Sequence, residues 1–125
     1  MESLTKNYEF KRLYNKGRSA ASKYAVVYCA RNNIAANKLG ITVSTKLGGA
    51  VQRNRIRRRL KEIYRLNELN FRKGYNIVIV ARYGSRDAKL KDLESSLLYL
   101  FKKLGLNQSN DFATGSVVIE EQTKI

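Results

Sequence analysis

The patterning of this chain predicts a sheet with helices packed on it, in the order α-β-β-β-α-β-α, an α+β or α/β arrangement. Three observations carry the prediction. Apolar residues recur at helical spacing in three stretches, near 5–16, 50–66 and 90–104. Runs with period-two or continuous apolar character stand at 24–30, 39–45 and 75–81. The 125 residues suit one domain and are too few for two good ones.

The first helix is expected from about Thr5 to Lys16, with Thr5 or Asn7 as cap, Glu9 in the first turn and Gly17 as its stop. Phe10, Leu13 and Tyr14 fall on one face of it. Residues 19–23 are small and polar and read as a short edge strand. From Tyr24 to Ala30 the run is β-branched and aromatic, with Tyr24, Val26 and Tyr28 on one face and Ala25, Val27 and Cys29 on the other. Asn32, Asn33 and Asn37 mark the turn that follows. Leu39, Ile41 and Val43 then alternate with Gly40, Thr42 and Ser44, and the two strands read as a hairpin with a long loop.

Lys46-Leu47-Gly48-Gly49 leads into a second helix, Ala50 to Leu66, whose apolar stripe is Ile56, Leu60, Ile63 and Tyr64. Arg72-Lys73-Gly74 is a turn, and Tyr75 to Ala81 is a continuous apolar run, as in a strand covered on both faces. Ser85 or Asp87 is expected to cap the last helix, with the stripe Leu90, Leu93, Leu97, Leu100, Phe101 and Leu104. Lys102 and Lys103 suit its C-terminal dipole and Gly105 ends it. One domain is expected over 1–106. Residues 107–125 turn polar and slightly acidic: a flexible tail, or a short added strand at Val117 to Ile119.

Charge is the dominant feature of the composition. There are 25 Lys plus Arg against 10 Asp plus Glu, a formal net of +15. Such a field opposes folding by self-repulsion and attracts polyanions, so a nucleic-acid backbone is the expected partner. No run approaches a membrane span, and the N-terminus has no apolar signal segment. Cys29 is the only cysteine, so no internal disulfide forms and a reducing, cytoplasmic location is expected. With no His and scattered acids, the chain lacks the commonest general base and any paired-carboxylate signature for catalytic metal ions. A protein active site would have to use Asp, Glu, Lys or Tyr; no catalytic residue, metal ligand or small-molecule cofactor is assigned.

The segment from Arg53 to Arg65 is the most informative. It holds Arg53, Arg55, Arg57, Arg58, Arg59, Lys61 and Arg65 against Glu62 alone. Arg53, Arg57 and Lys61 line one shoulder of the apolar stripe, with Asn54, Arg58 and Arg65 beside them and Arg55 and Arg59 on the opposite flank. A solvated surface helix normally mixes Glu with Lys in i,i+4 pairs; this one repels itself unless phosphates neutralise it. Guanidinium forks match phosphate oxygens two bonds at a time. The helix start behind Gly48 and Gly49 adds backbone N–H groups for an anion, and Asn54 an amide for phosphate, sugar, a base edge or a metal-bound water.

Phe10 and Tyr14 share a helical face, and Tyr28 points from the strand. Such residues are ordinarily core. A cleft lined by all three and bordered by Arg and Lys would instead suit an unpaired nucleic-acid strand, because bases stack on aromatics.

Two segments resemble the protein subunit of bacterial ribonuclease P. One runs Gly40-Ile41-Thr42-Val43-Ser44-Thr45-Lys46, then Gly48, Ala50-Val51 and Arg53-Asn54-Arg55-Ile56-Arg57-Arg58; the other is Phe10-Lys11-Arg12-Leu13-Tyr14-Asn15-Lys16-Gly17. The resemblance covers about residues 5–105. It implies an α+β two-layer sandwich of a small mixed sheet with helices, the ribosomal protein S5 domain 2-like fold, with a left-handed strand–helix–strand crossover against the usual hand. It further implies that a catalytic RNA, with Mg2+ serving its chemistry, removes the 5′ leader from precursor tRNA while this protein assists and aids the binding of the ions. On that pattern Lys46, Arg53, Asn54, Arg55, Arg57, Arg58 and Lys61 meet RNA, and Phe10, Tyr14 and Tyr28 hold the single-stranded leader. Gly49 and Gln52 depart from the residues relatives often carry, and the tail after Leu106 has no counterpart. The alternative reading is a ribosomal or chaperone-type RNA-binding protein, which explains charge and fold but not the aromatic face.

Overall fold

The computed structural model describes residues 2–4 and 7–108. The elements are β1 (Glu2–Ser3), α1 (Asn7–Lys16), β2 (Arg18–Ala21), β3 (Ala25–Arg31), β4 (Lys38–Thr42), α2 (Ala50–Asn67), β5 (Tyr75–Ala81) and α3 (Leu90–Lys103). The strands form one mixed sheet in the order β1-β4-β5-β3-β2. β5 runs parallel to β4 and antiparallel to β3, and β2 closes the far edge antiparallel to β3.

The α+β class stands, and the sheet corrects one expectation. Strands 24–30 and 39–45 are not a hairpin, because β5 lies between them. The physical reason is the apolar run of β5. Ile77, Val78 and Ile79 are buried whichever face they point to, so β5 belongs in the middle; a β3–β4 hairpin would have left it at an edge. The β3–β4 connection therefore spans two strand spacings, about 10 Å, which explains its length. Residues 2–3 add a parallel edge strand on β4 that the patterning did not signal. Two residues carry almost no period.

Sheet alternation assigns the helices. Ala25, Val27 and Cys29 of β3, Leu39 of β4 and Ile77 and Ile79 of β5 form the main core with α2 and α3. The α2 stripe is buried as expected, and Leu60 is fully enclosed, a burial worth about 1.5–3 kcal/mol. Tyr64, Phe71 and Phe101 pack together at ring-centroid distances of 5.3, 6.0 and 4.5 Å. The opposite sheet face carries α1, with Leu13 and Val78 buried beside Phe10 and Tyr28.

Helix α3 differs from expectation at its start. Neither Ser85 nor Asp87 caps it; Lys89 stands at the cap with no side-chain bond, after a 3-10 turn at Tyr83–Arg86. Leu90 is half exposed, while the rest of the stripe is buried. Its end is a Schellman turn: Leu106 N–H donates to Phe101 O, Gly105 N–H to Lys102 O, and Gly105 has φ +73°. Asn107 and Gln108, placed in the tail by composition, return to the domain: Asn107 bridges Phe71, and Gln108 N–H donates to Asn70 O. The strand expected at Val117 to Ile119 lies outside the described residues, as does Thr5.

Candidate nucleic-acid interface

The chain leaves β4 and makes a 3-10 turn at Thr45–Leu47, capped by Ser44, whose hydroxyl accepts from Lys46 N–H at 3.1 Å. Leu47 is buried and anchors the turn, while Lys46 is exposed. Gly48 follows with φ +133°, a conformation side chains rarely adopt. Gly49 precedes α2 in extended conformation with no side-chain cap. The first-turn amides of α2 therefore lie at a helix start whose dipole favours an anion.

The basic side chains of α2 divide by what they touch. Arg53 is half-buried, its Nε donating to Gly48 O at 3.2 Å, which holds the guanidinium at the helix start. Arg57 Nη1 donates to Asn54 Oδ1 at 2.9 Å, pairing two of the expected site residues. Arg55, Arg58 and Lys61 are exposed. Arg59 is structural: it donates to Ala88 O at 2.9 Å and ties α2 to the entry of α3. Arg65 forms a two-bond ion pair with Glu62, at 3.0 and 2.6 Å. Its hydrogen bond holds the Glu62 carboxyl below the usual range, although both groups are exposed and the pair adds little stability.

Helix α1 crosses the other sheet face along one row of neighbours, Gly40, Val78 and Tyr28. Phe10 lies on Gly40 so closely that an added Cβ would stand 2.8 Å from its ring. Tyr14 meets Tyr28 edge-on, with centroids 4.9 Å apart at 72°. Tyr14 is 41% exposed and Tyr28 half-buried, so this pair is not closed core. The next row toward the end of β4 is Thr42, Val80 and Val26, all half-buried and on the same face. It forms an apolar strip beside α1 that runs toward the chain's exit to Lys46.

A cavity of about 190 Å³ brings Phe10 together with Arg57 and Lys61, over Leu4, Gly40 and Ile41. The expected site residues thus fall into three groups. Phe10, Arg57 and Lys61 share this cavity; Lys46, Arg53 and Asn54 gather at the start of α2; Tyr14 and Tyr28 pair with each other farther along α1. Arg55 and Arg58 point outward on the exposed sides of the helix. Gly40 was missed as a site residue. Its signal was a glycine inside an otherwise regular strand, which marks close approach by another group. Val26, Thr42 and Val80 were missed because only the strand register sets them side by side.

A family model described as Ribonuclease P matches residues 1–105. The Ribonuclease P protein component of Alkaliphilus metalliredigens is 43% identical over 103 residues, covering 82% of this chain and 93% of that one. Its counterpart from Clostridium botulinum is 44% identical over 104 residues, covering 82% and 94%. Among solved structures, the Staphylococcus aureus RNase P protein superposes with a TM-score of 0.79 at 33% identity, covering 86% of this chain and 99% of that one. The Thermotoga maritima RNase P protein gives 0.76 at 30% identity, with 82% and 97% covered. With a model match over most of its length and relatives above 40% identity, the chain belongs to the ribonuclease P protein component family.

Proposed function

We propose that this chain is the protein partner of a cytoplasmic ribonucleoprotein endoribonuclease, binding the catalytic RNA and the single-stranded 5′ leader of precursor tRNA. The observation that carries the reading is the pairing of a basic helix with an aromatic face through Phe10, Arg57 and Lys61. Phosphates meet Lys46, Arg53, Asn54, Arg55, Arg57, Arg58 and Lys61. Leader bases lie against Phe10, Tyr14 and Tyr28, where stacking on an aromatic is worth about 1–3 kcal/mol per base. A leader held this way makes precursor bind better than mature tRNA, which lacks it, so specificity is a difference of affinities.

Magnesium in this reading serves the RNA. Among the described residues no three acidic, Cys or His side chains converge, and no step is assigned to a metal held by them. Among the same residues no helix is long and apolar enough to cross a membrane.

The test is cleavage of a precursor tRNA at low magnesium by a bacterial ribonuclease P RNA, with and without this protein. Restored cleavage at the mature 5′ end, with no cleavage by protein alone, is the expected result. Binding to both RNAs without restored cleavage would refute it and favour a ribosomal or chaperone-type RNA-binding protein.

A further inference from the structure

Phe10 stands where the aromatic face meets the basic helix, and the sheet beneath it is bare. Its floor is Gly40, which has no side chain, so β4 leaves a slot under the ring. The inner wall of the slot is Val78, the β5 neighbour of Gly40, which is fully buried. The outer wall cannot come from a long strand, because only β1 lies beyond β4 on that side. There the slot is closed by Leu4.

Leu4 follows β1 directly. Glu2 faces Lys38 and Ser3 faces Leu39, so the register sets Leu4 level with Gly40, and Leu4 N–H donates to Leu39 O at 3.0 Å. Its side chain is 5% exposed and forms the small second core with Leu13 and Val78, against which Phe10 packs. A Cβ on Gly40 would stand 2.8 Å from the Phe10 ring and 3.3 Å from Leu4 Cβ, so ring and leucine meet over the same glycine. Ser3 and Leu4 also line the cavity that runs from Phe10 to Arg57 and Lys61.

A two-residue ladder contributes little as a strand. Ser3 is exposed, so Leu4 is the side chain that ties this segment to the core. The Lys38–Glu9 pair at 3.4 Å holds the first turn of α1 to the start of β4, but it does not touch the ring. Tyr14 and Tyr28 brace each other, with centroids 4.9 Å apart; Phe10 has no aromatic partner of this kind among the described residues. A ring left free to swing must be ordered when a base stacks on it, and that ordering weakens binding.

We propose that Leu4 is a positioning residue for leader binding: it is the outer stop that keeps the Phe10 ring over Gly40 and beside Arg57 and Lys61. Leu4 acts through Phe10, and the inference rests on the leader-binding reading above.

The experiment compares Leu4→Ala, Leu4→Met, Phe10→Ala and L4A/F10A in the full chain, reconstituted with a bacterial ribonuclease P RNA. Affinity is measured for precursor tRNA, for mature tRNA, and between protein and catalytic RNA. Leu4→Ala is expected to weaken precursor binding by about 3-fold or more, while mature tRNA and the catalytic RNA bind as with the parent. In steady-state cleavage the same loss shows as a higher KM at unchanged kcat. Leu4→Met fills a similar volume and restores precursor binding. In the Phe10→Ala background the Leu4→Ala loss disappears, since no ring remains to be held. Leu4 as plain packing gives another pattern: a lower thermal midpoint, equal losses for all three RNAs, and additive effects with Phe10→Ala. That pattern overturns the inference. So does parent-level precursor binding by Leu4→Ala when Phe10→Ala weakens precursor alone, and the leader reading then survives. If Phe10→Ala does not weaken precursor binding, the leader reading has failed at Phe10 and this inference with it. Should Leu4→Ala not fold, Leu4→Val, a smaller truncation, carries the same comparison.

Discussion

Replacing Asn37 with alanine should cost this domain about 3 kcal/mol without touching the RNA interface. Asn37 is buried at the start of β4 and makes three hydrogen bonds. Its Nδ2 donates to Tyr64 Oη at 3.0 Å and to Arg72 O at 2.9 Å, and its Oδ1 accepts from Tyr75 N–H at 2.9 Å. One side chain thus joins β4, the last turns of α2 and the start of β5, setting the basic helix along the sheet. Alanine leaves Tyr64 Oη and Tyr75 N–H buried without this partner, each at about 1–3 kcal/mol. The Arg72 carbonyl lies nearer water and adds little. A loss of about 3 kcal/mol is a large part of the ~5–15 kcal/mol a domain has in total, and should lower Tm by roughly 10 °C. Urea melts without RNA are the assay, because RNA binding the folded state would mask the loss. Tyr64→Phe alone should cost about 1 kcal/mol. The double variant should cost less than the sum, since the orphaned hydroxyl is gone. An Asn37→Ala loss under about 1 kcal/mol, or strict additivity, would refute the reasoning.

Tyr14→Ala should weaken holoenzyme binding to precursor tRNA by about 5- to 150-fold, the range of one base stack, and leave mature tRNA binding unchanged. Equal losses for both would make Tyr14 a packing residue. Gly40→Val places a Cβ 2.8 Å from the Phe10 ring and should push that ring off the sheet. Overpacking costs about 1–3 kcal/mol, and precursor affinity should fall while affinity for the catalytic RNA holds. Precursor binding at the parent level would separate Phe10 from the groove. Burial pushes the Cys29 thiol up from its ordinary 9.0, against a smaller lowering by Arg18. Burial also raises the Tyr64 phenol above 10.0, opposed by its bond from Asn37. Both groups hold their protons more tightly when folded, so their stability is complete below the ordinary values and is lost as pH rises through the folded ones. Wild type should lose urea stability relative to Cys29→Ala as pH rises above the ordinary thiol value. The difference between the two isolates the thiol from lysines that titrate nearby. Parallel curves would remove the thiol from the account.

The elements read most easily from the chain were those whose burial is periodic along the sequence. Tyr75 to Ala81 was legible to the residue because Tyr75, Ile77, Ile79 and Ala81 are buried against α2 and α3 and Val78 beneath α1, which makes the apolar run nearly continuous. Helix α2 was legible from Ile56, Leu60, Ile63 and Tyr64, and its charge from the absence of balancing acids. The start of α3 was not, because Ser85 and Asp87 have the right chemistry for a cap while the chain spends them on a preceding 3-10 turn, where Ser85 Oγ donates to Arg82 O at 2.7 Å. Of the site, the cations and the three aromatics were visible as residue types. That Arg59 and Arg65 are occupied within the protein was not.

The sequence by itself determined the helices, the long strands, the excess of positive charge and the family, because each is written in neighbours along the chain: periodicity, composition and motif. Only the tertiary structure decided the strand order, the placing of Phe10 against Gly40 beside Arg57 and Lys61, and the row of Val26, Thr42 and Val80 beside α1. Those depend on contacts between residues about 30 to 65 positions apart. Such contacts follow from which faces of the sheet must be covered at once, and no local pattern carries that requirement.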